Sequence, residues 1–294
     1  MGFFIKAIAA EEGGRRGERV QRLYKEMRKI LPPEEVAIML DGTGGVTMGQ
    51  IFKRYDENIH TYRGLGPEGF IALRDKGYGD FWCGMDHGGA HPTVVVYVFI
   101  ATHPAPSLQL VEGDYVQVWE YYKAGSSVPS HIPRLKALHE KFKPKAYFCD
   151  PHMWDDDAKQ PGRTVARDYG EAGIRPMYRG NNQVDPGIQA VDRLLMPRAG
   201  DFPWPRFRLV ARCNQHTEDG FRIWSTKPDA MERSGSDKYS EVEKDTMDAV
   251  RYLVRAAPER HAHIAQMPPV AVDGATGVPL DMFCALDAVG AALI

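Results

Sequence analysis

The sequence predicts a mixed α/β fold, in which three antiparallel strands are followed by parallel strands, with helices on both faces of the sheet. Two observations lead to this prediction. Residues 81–123 are rich in β-branched and aromatic side chains, which favour strands. Beyond residue 130, stretches with apolar residues at helical spacing alternate with short apolar runs. Strands that first meander and then alternate with helices are typical of a mixed sheet.

The part of the chain ahead of the sheet has weaker signals. Residues 17–31 carry apolar side chains at helical spacing and basic side chains on the other face, so they predict a helix. Pro32 and Pro33 end this helix. Residues 42–63 are punctuated by glycines and mix aromatic with polar residues, which indicates a loop and an irregular or extended segment.

The central strands are expected within residues 81–101 and 111–123. The first stretch places Asp86 and a glycine pair ahead of an unbroken run of Val, Ile, Tyr and Phe, which is typical of a buried strand. An acid beside glycines is either a turn that closes a loop or a group that holds a phosphate or metal near the backbone. Alternation in residues 111–123 predicts the third strand of the meander.

The second half of the chain predicts alternating elements. Helices are expected at residues 131–142, 163–172, 185–195 and 244–257, and short strands at residues 146–149 and 174–178. Asp185 is the predicted N-cap of its helix, with Pro186 at the first helical position. Residues 207–224 predict either a hairpin, or a strand and a short helix.

The amino-acid composition limits the classes of protein to which this chain can belong. The chain has 294 residues, of which 43% are hydrophobic and 26% charged, which suits one or two globular domains with a sizeable core. Its four cysteines form no CxxC pair, which favours a reducing compartment over a disulfide framework or zinc ribbon. The net charge of −2 gives no global basic signature, so any contact with nucleic acid must come from a local patch.

Three absences narrow the function further. No stretch is apolar and long enough to cross a bilayer, so we expect no membrane association. The first residues lack the layout of a signal peptide, so we expect a protein that is not secreted. No GxxxxGK[ST] pattern occurs, so we expect no P-loop ATPase in this chain.

Four aspartates are expected to converge. Asp86 lies on the first strand of the meander, and Asp150 directly follows the strand at residues 146–149. Asp245 and Asp248 are three residues apart on the last helix and share one face. With this order of elements, the two strands can be adjacent and the helix can cross their ends. Such a cluster is costly unless cations neutralise it, and oxygen ligands favour Mg²⁺ or Mn²⁺. Two ions about 4 Å apart are a standard device for phosphodiester cleavage.

On these residues the sequence resembles the nuclease domain of the large terminase subunit of tailed phages, within the RNase H-like superfamily. The resemblance runs over about residues 42–253 and includes GQIFKRYDENIH, GMDHG, AYFCDP, NNQVDPGIQAVDRLL and KDTMDAVRY. It implies an RNase H-like fold in which Asp86, Asp150 and Asp248 bind metal. It also implies that Asp245 is a fourth ligand.

The resemblance also implies a function. The chain would be a metal-dependent endonuclease that cleaves double-stranded concatemeric DNA during viral genome packaging, by two-metal-ion hydrolysis with Mg²⁺ or Mn²⁺. Its partners would be DNA, a terminase motor (ATPase) domain, the small terminase subunit and the portal protein, in the cytoplasm of the infected bacterial host. Two alternatives remain open: another RNase H-like nuclease (a junction resolvase or an RNA–DNA hybrid nuclease), and a non-catalytic DNA-binding module.

Three regions are expected along the chain. Residues 1–75 would form an N-terminal helix and a linker segment, residues 76–257 the nuclease domain, and residues 258–294 a C-terminal tail. Since Walker motifs are missing, we expect either an excised domain or a separately encoded nuclease half.

Overall fold

The computed structural model describes residues 49–89, 91–156, 163–198, 203–227, 233 and 235–264. The chain divides into two compact units, Met1–Arg255 and Ala256–Ile294. The helix predicted at residues 17–31 and most of the predicted tail lie outside the described residues. The predicted domain boundaries stay predictions.

One mixed sheet organises the first unit. Its strands in the described residues are β1 (Thr61–Tyr62), β2 (Gly79–Asp86), β3 (Thr93–Ala101), β4 (Tyr115–Lys123), β5 (Tyr147–Cys149), β6 (Met177–Arg179) and β7 (Phe207–Val210). Their order across the sheet is β1-β7-β4-β3-β2-β5-β6. The pairs β2–β3 and β3–β4 are antiparallel, and the remaining pairs are parallel. The predicted order of three antiparallel strands followed by parallel strands is confirmed.

Helices connect the strands. Those in the described residues are α1 (Glu57–His60), α2 (Pro67–Asp75), α3 (Val128–Phe142), α4 (Val165–Glu171), α5 (Val184–Leu194), α6 (Gln215–Ile223) and α7 (Lys244–Ile264). Four of them, α3, α4, α5 and α7, correspond to the four predicted helices with shifted ends. Within the described part of the chain, none of the helices has the length and apolar character needed to cross a membrane.

Strand composition explains the position of the core. All nine residues of β3 are buried, as the unbroken β-branched and aromatic run predicts for a central strand. On β2, Phe81, Cys83 and Met85 join one core cluster together with Leu135 and Phe142 of α3. Because side chains alternate along a strand, the intervening positions of β2 face the opposite side of the sheet.

Short elements were the ones that the sequence pattern missed or left open. Helix α2 was not predicted, although Pro67 at its start and the buried Phe70 and Leu73 three residues apart were available signals. In residues 207–224, the strand followed by a helix is the correct alternative, because β7 and α6 occupy this segment and no hairpin forms there. Elements of four to nine residues give too few periods for a pattern to separate a strand from a helix.

The prediction that Asp185 caps a helix is wrong. Helix α5 begins at Val184, and Gln183 is its N-cap, without a capping hydrogen bond from its side chain. The Asp185 carboxylate instead accepts a hydrogen bond from the Tyr239 hydroxyl and pairs with Lys238 at 3.6 Å. A partner distant in sequence therefore competes successfully with the local cap.

Helix α7 lies directly against β2 on the face opposite α3. A Cβ atom at Gly84 would lie 1.9 Å from the carbonyl oxygen of Ala249 and 3.1 Å from the Cβ of Leu253. The neighbour is backbone of α7, which cannot rotate away as a side chain can. Glycine at this position is therefore required for the observed distance between helix and strand.

We expect Gly84→Ala to lower the free energy of unfolding by about 2–3 kcal/mol, because an added methyl group forces α7 away from β2. Urea unfolding measures this change. Gly170→Ala on α4 is the matched control, because a Cβ there meets no atom within 4 Å. The control should be neutral or stabilising by up to about 1 kcal/mol. Equal effects of both substitutions would contradict the role of Gly84.

Candidate functional site

Strands β2 and β5 bring two of the predicted acids together at the ends of these strands. Asp86 is the last residue of β2, and Asp150 directly follows β5. The parallel register pairs Met85 with Cys149, and the backbone N–H of Asp150 donates to the Met85 carbonyl at 3.0 Å. The two aspartates therefore occupy neighbouring positions at the carboxyl ends of adjacent parallel strands.

Helix α7 carries the other two predicted acids across the ends of β2 and β5. Asp245 lies in its first turn and Asp248 one turn further on. Besides its contact at Gly84, α7 lies close to the end of β6, where a Cβ at Gly180 would be 2.7 Å from Cδ1 of Tyr252. The two contacts hold the start of α7 beside the ends of β2 and β5.

The four carboxylates share one electrostatic environment. Burial raises the pKa of Asp86 well above its ordinary value, and the charges of Asp248, Asp150 and Asp245 raise it further. Burial also raises the pKa of Asp248. The pKa of Asp245 rises to about 6, because burial and the charge of Asp248 outweigh the opposing effect of His91. The site therefore concentrates negative charge that water screens poorly.

A buried arginine compensates one of these charges. Arg251 is fully buried, and its Nε and Nη2 donate to Oδ1 of Asp248 at 3.1 and 2.5 Å. Its Nη1 also donates to the Gln183 carbonyl at 3.4 Å, and Gly187 of α5 leaves room for the guanidinium. Arg251 was not among the predicted site residues, although its position three residues after Asp248 on a helix was the available signal.

The four carboxylates are suitable ligands for a hard divalent cation. The four groups are carboxylates that repel one another, and Mg²⁺ and Mn²⁺ prefer oxygen ligands. No three His, Cys, Asp or Glu side chains within the described ranges are grouped as closely as the ligands of one metal ion. Oδ1 of Asp248 pairs with the guanidinium of Arg251. Shared coordination would therefore require the carboxylates to turn towards one another.

His87 follows Asp86 but has different partners. Its Nδ1 lies 2.9 Å from Oγ1 of Thr93 and 3.2 Å from the Tyr169 hydroxyl. Burial lowers the pKa of His87 to about 4, and the neighbouring His131 contributes to this shift. The imidazole is thus neutral at physiological pH and packs between strand β3 and helix α4.

These elements define a class: an α/β domain with a mixed sheet, in which two adjacent parallel strands end in carboxylates. Among solved structures, the chain is similar to the large terminase of a thermophilic bacteriophage, with a TM-score of 0.51 and 18% identity, over 79% of this chain and 51% of that one. The ADP complex of the same terminase matches with the same TM-score, over 80% and 51%. The P22 large terminase nuclease domain matches with a TM-score of 0.49 and 16% identity, over 72% and 95%.

The fold is therefore that of large terminases, and the predicted resemblance is confirmed at the level of the fold. Of the two proteins, the thermophilic phage terminase supports this assignment, because its TM-score exceeds 0.5. The chain spans about half the length of that terminase. No family model matches the chain, and no curated protein matches it.

Replacing Arg251 tests how Asp248 is held. We expect Arg251→Met to lower the free energy of unfolding by about 3 kcal/mol at pH 8, because Asp248 then lies buried without a partner. At pH 5 the loss should be smaller, since the raised pKa of Asp248 lets the carboxyl group take up a proton. The double variant Asp248→Asn/Arg251→Met should recover most of the stability at pH 8. A loss that is independent of pH would refute this account.

Asp245 gives a pH dependence with a defined sign. Its pKa is about 6 when folded, against 3.8 as the ordinary value, so the folded state binds more protons between these pH values. The stability contributed by Asp245 is therefore highest below pH 3.8 and falls as pH rises to 6. We expect Asp245→Asn to stabilise the metal-free protein at pH 7.5, by up to about 1 kcal/mol after allowance for solvent screening. At pH 4.5 the gain should fall to about a third of its value at pH 7.5, as measured by urea unfolding in EDTA.

Proposed function

We propose that this protein is a metal-dependent endonuclease of the large terminase type, which cleaves double-stranded concatemeric DNA during viral genome packaging. One observation carries the proposal: Asp86 and Asp150 end adjacent parallel strands, and helix α7 places Asp245 and Asp248 beside them, in a sheet with the large terminase fold. Carboxylates held this close together, with Asp86 and Asp248 buried, destabilise a folded chain, so their presence favours a role in the chemistry.

Mg²⁺ or Mn²⁺ would be held by these four aspartates, with two ions as the expected number. When bound, such ions stabilise the charge that develops on a phosphate and make water a better nucleophile. The large terminase nuclease of phage G20c, of which one solved structure is described with bound magnesium, has a TM-score of 0.44 to this chain and lends no weight to the choice of ion.

The chain's own residues would orient the ligands and limit access of water. The backbone N–H of His152 donates to Oδ1 of Asp150 at 3.0 Å, which fixes one oxygen of that carboxylate and leaves Oδ2 for a ligand. Arg251 holds Oδ1 of Asp248 in the same way. Burial of Asp86 lowers the local dielectric constant and strengthens its attraction for a cation.

The proposed partners follow from the same type of protein. Double-stranded DNA is the substrate, and the terminase motor (ATPase) domain, small terminase subunit and portal protein are the protein partners. The proposed location is the cytoplasm of the infected bacterial host.

Digestion of supercoiled plasmid tests the activity. With Mn²⁺ or Mg²⁺ we expect nicked and linear products, and EDTA should abolish them. Asp86→Asn should reduce the rate by at least about 100-fold, because it removes a ligand from the metal-binding cluster. Asp156→Asn is the matched control, since this aspartate is exposed and lies outside the four proposed ligands; its rate should match that of the wild type.

The outcomes separate the proposal from its alternatives. The Asp86→Asn variant loses a negative charge that the three neighbouring aspartates repel, so it should be no less stable than the wild type. Unfolding would therefore not explain its inactivity. Preferential cleavage of a four-way junction or of an RNA–DNA hybrid would assign the protein to another class of nuclease. A wild-type protein that leaves plasmid intact with either ion, and binds neither ion in calorimetry, would overturn the nuclease proposal.

A further inference from the structure

A concave site separate from the acid cluster lies at the edge of the sheet opposite β6. Strand β1 forms this edge, whereas the acid cluster lies at β2 and β5. The cavity has a volume of about 440 Å³. Its lining within the described residues consists of Asn58, Thr61, Tyr62, Arg63, Gly64, Ser107, Leu108, Gln109, Trp204 and Arg208. We name it the β1 pocket. A volume of this size suits a small organic ligand rather than a single ion.

The floor of the β1 pocket carries a buried positive charge. The side chains of Arg208 and Asp114 are 1% and 0% exposed, and Arg208 Nη2 lies 3.1 Å from Oδ2 of Asp114. The same carboxylate also pairs with Nη1 of Arg198 at 2.8 Å. One carboxylate thus serves two guanidinium groups, and the group of three keeps a net positive charge. Burial makes this charge more effective than one at the surface.

The rim of the pocket adds to this charge. Arg63 is exposed and lines the opening, and the described lining residues include no Asp or Glu. Asn58, Ser107 and Gln109 supply uncharged donors and acceptors. The pocket therefore combines a positive potential with neutral polar groups, as sites for phosphorylated organic molecules do.

The wall of the pocket is held in a fixed shape. Gln109 has a φ of 55°, in the left-handed region that residues other than glycine rarely adopt. Arg208 Nη2 donates to its carbonyl at 2.6 Å, and the Tyr62 hydroxyl donates to the Leu108 carbonyl at 2.9 Å. Two lining residues thus fix the conformation of the segment that forms the opposite wall. A preformed wall lowers the entropic cost of binding a ligand.

We propose that the β1 pocket binds the phosphate and nucleoside of a 5′-nucleotide. The positive charge selects the phosphate, because a guanidinium group matches its oxygens. The volume and the neutral polar lining select the nucleoside over inorganic phosphate. The same chemistry is present in a free mononucleotide and at the 5′-phosphorylated end of a DNA strand. The proposal is independent of the acid cluster, which lies on other strands.

Isothermal titration calorimetry of the full chain in EDTA tests the proposal without cleavage. The probes are thymidine 5′-monophosphate, inorganic phosphate, and a short oligothymidylate with and without a 5′-phosphate. We expect the monophosphate to bind more tightly than inorganic phosphate. Arg63→Gln should weaken binding about tenfold, because it removes one charge-assisted hydrogen bond. Arg193→Gln, which replaces an exposed arginine outside the pocket, should leave binding unchanged.

The two oligothymidylates identify the source of the ligand. Tighter binding of the phosphorylated form supports a DNA end, and binding of the mononucleotide without either oligonucleotide supports a free nucleotide. Equal affinities for inorganic phosphate and the mononucleotide would overturn the proposed nucleotide site. So would equal effects of the two arginine substitutions, or no binding of any probe. Because EDTA prevents cleavage, these failures leave the proposed nuclease activity unaffected.

Discussion

Helix α7 and strand β2 are in contact at Gly84, where the peptide backbone of the helix occupies the space that any other side chain would fill. Most of the candidate site depends on this contact. Side chains of β2 alternate, so Gly84 and Asp86 lie on the same face, towards α7. Bringing the helix this close buries Asp86 and holds Asp245 and Asp248 beside it. Gly180 extends the close approach to the end of β6.

The same contact creates an electrostatic cost that the fold offsets in part. Burial raises the pKa of Asp86, Asp245 and Asp248, so each carboxylate is less stable as an anion here than in water. The buried guanidinium of Arg251 offsets the charge of one of them. Lys244 Nζ donates a hydrogen bond to Oε2 of Glu241 at 3.1 Å, which limits how much its positive charge can offset the charge of the four aspartates. The remaining imbalance favours the proposed binding of a cation, because a bound cation would remove the repulsion.

The sequence predicted the parts of this arrangement that follow from strand order. An acid at the end of a buried strand can be read from the chain, and adjacent parallel strands bring such acids together, as for Asp86 and Asp150. Contacts between distant segments could not be read in this way. The pairing of Arg251 with Asp248 could be recognised only once the burial of Arg251 was known. Asp185 is held by Tyr239 rather than by the end of its own helix. Helix α2 was missed because its two buried residues give too short a pattern.

The distribution of charge explains why composition said little about binding. A net charge of −2 describes a chain with nearly balanced charges, yet the fold separates them. Four aspartates meet near β2 and β5, whereas Arg63, Arg198 and Arg208 lie near β1 and β7, with Asp114 shared by the latter two. The two sets of charges lie on different strands of the sheet, so each region would act on its own ligand. The local potential, and not the net charge, therefore determines which ligand each of the two regions would attract: cations at the aspartates and anions at the arginines.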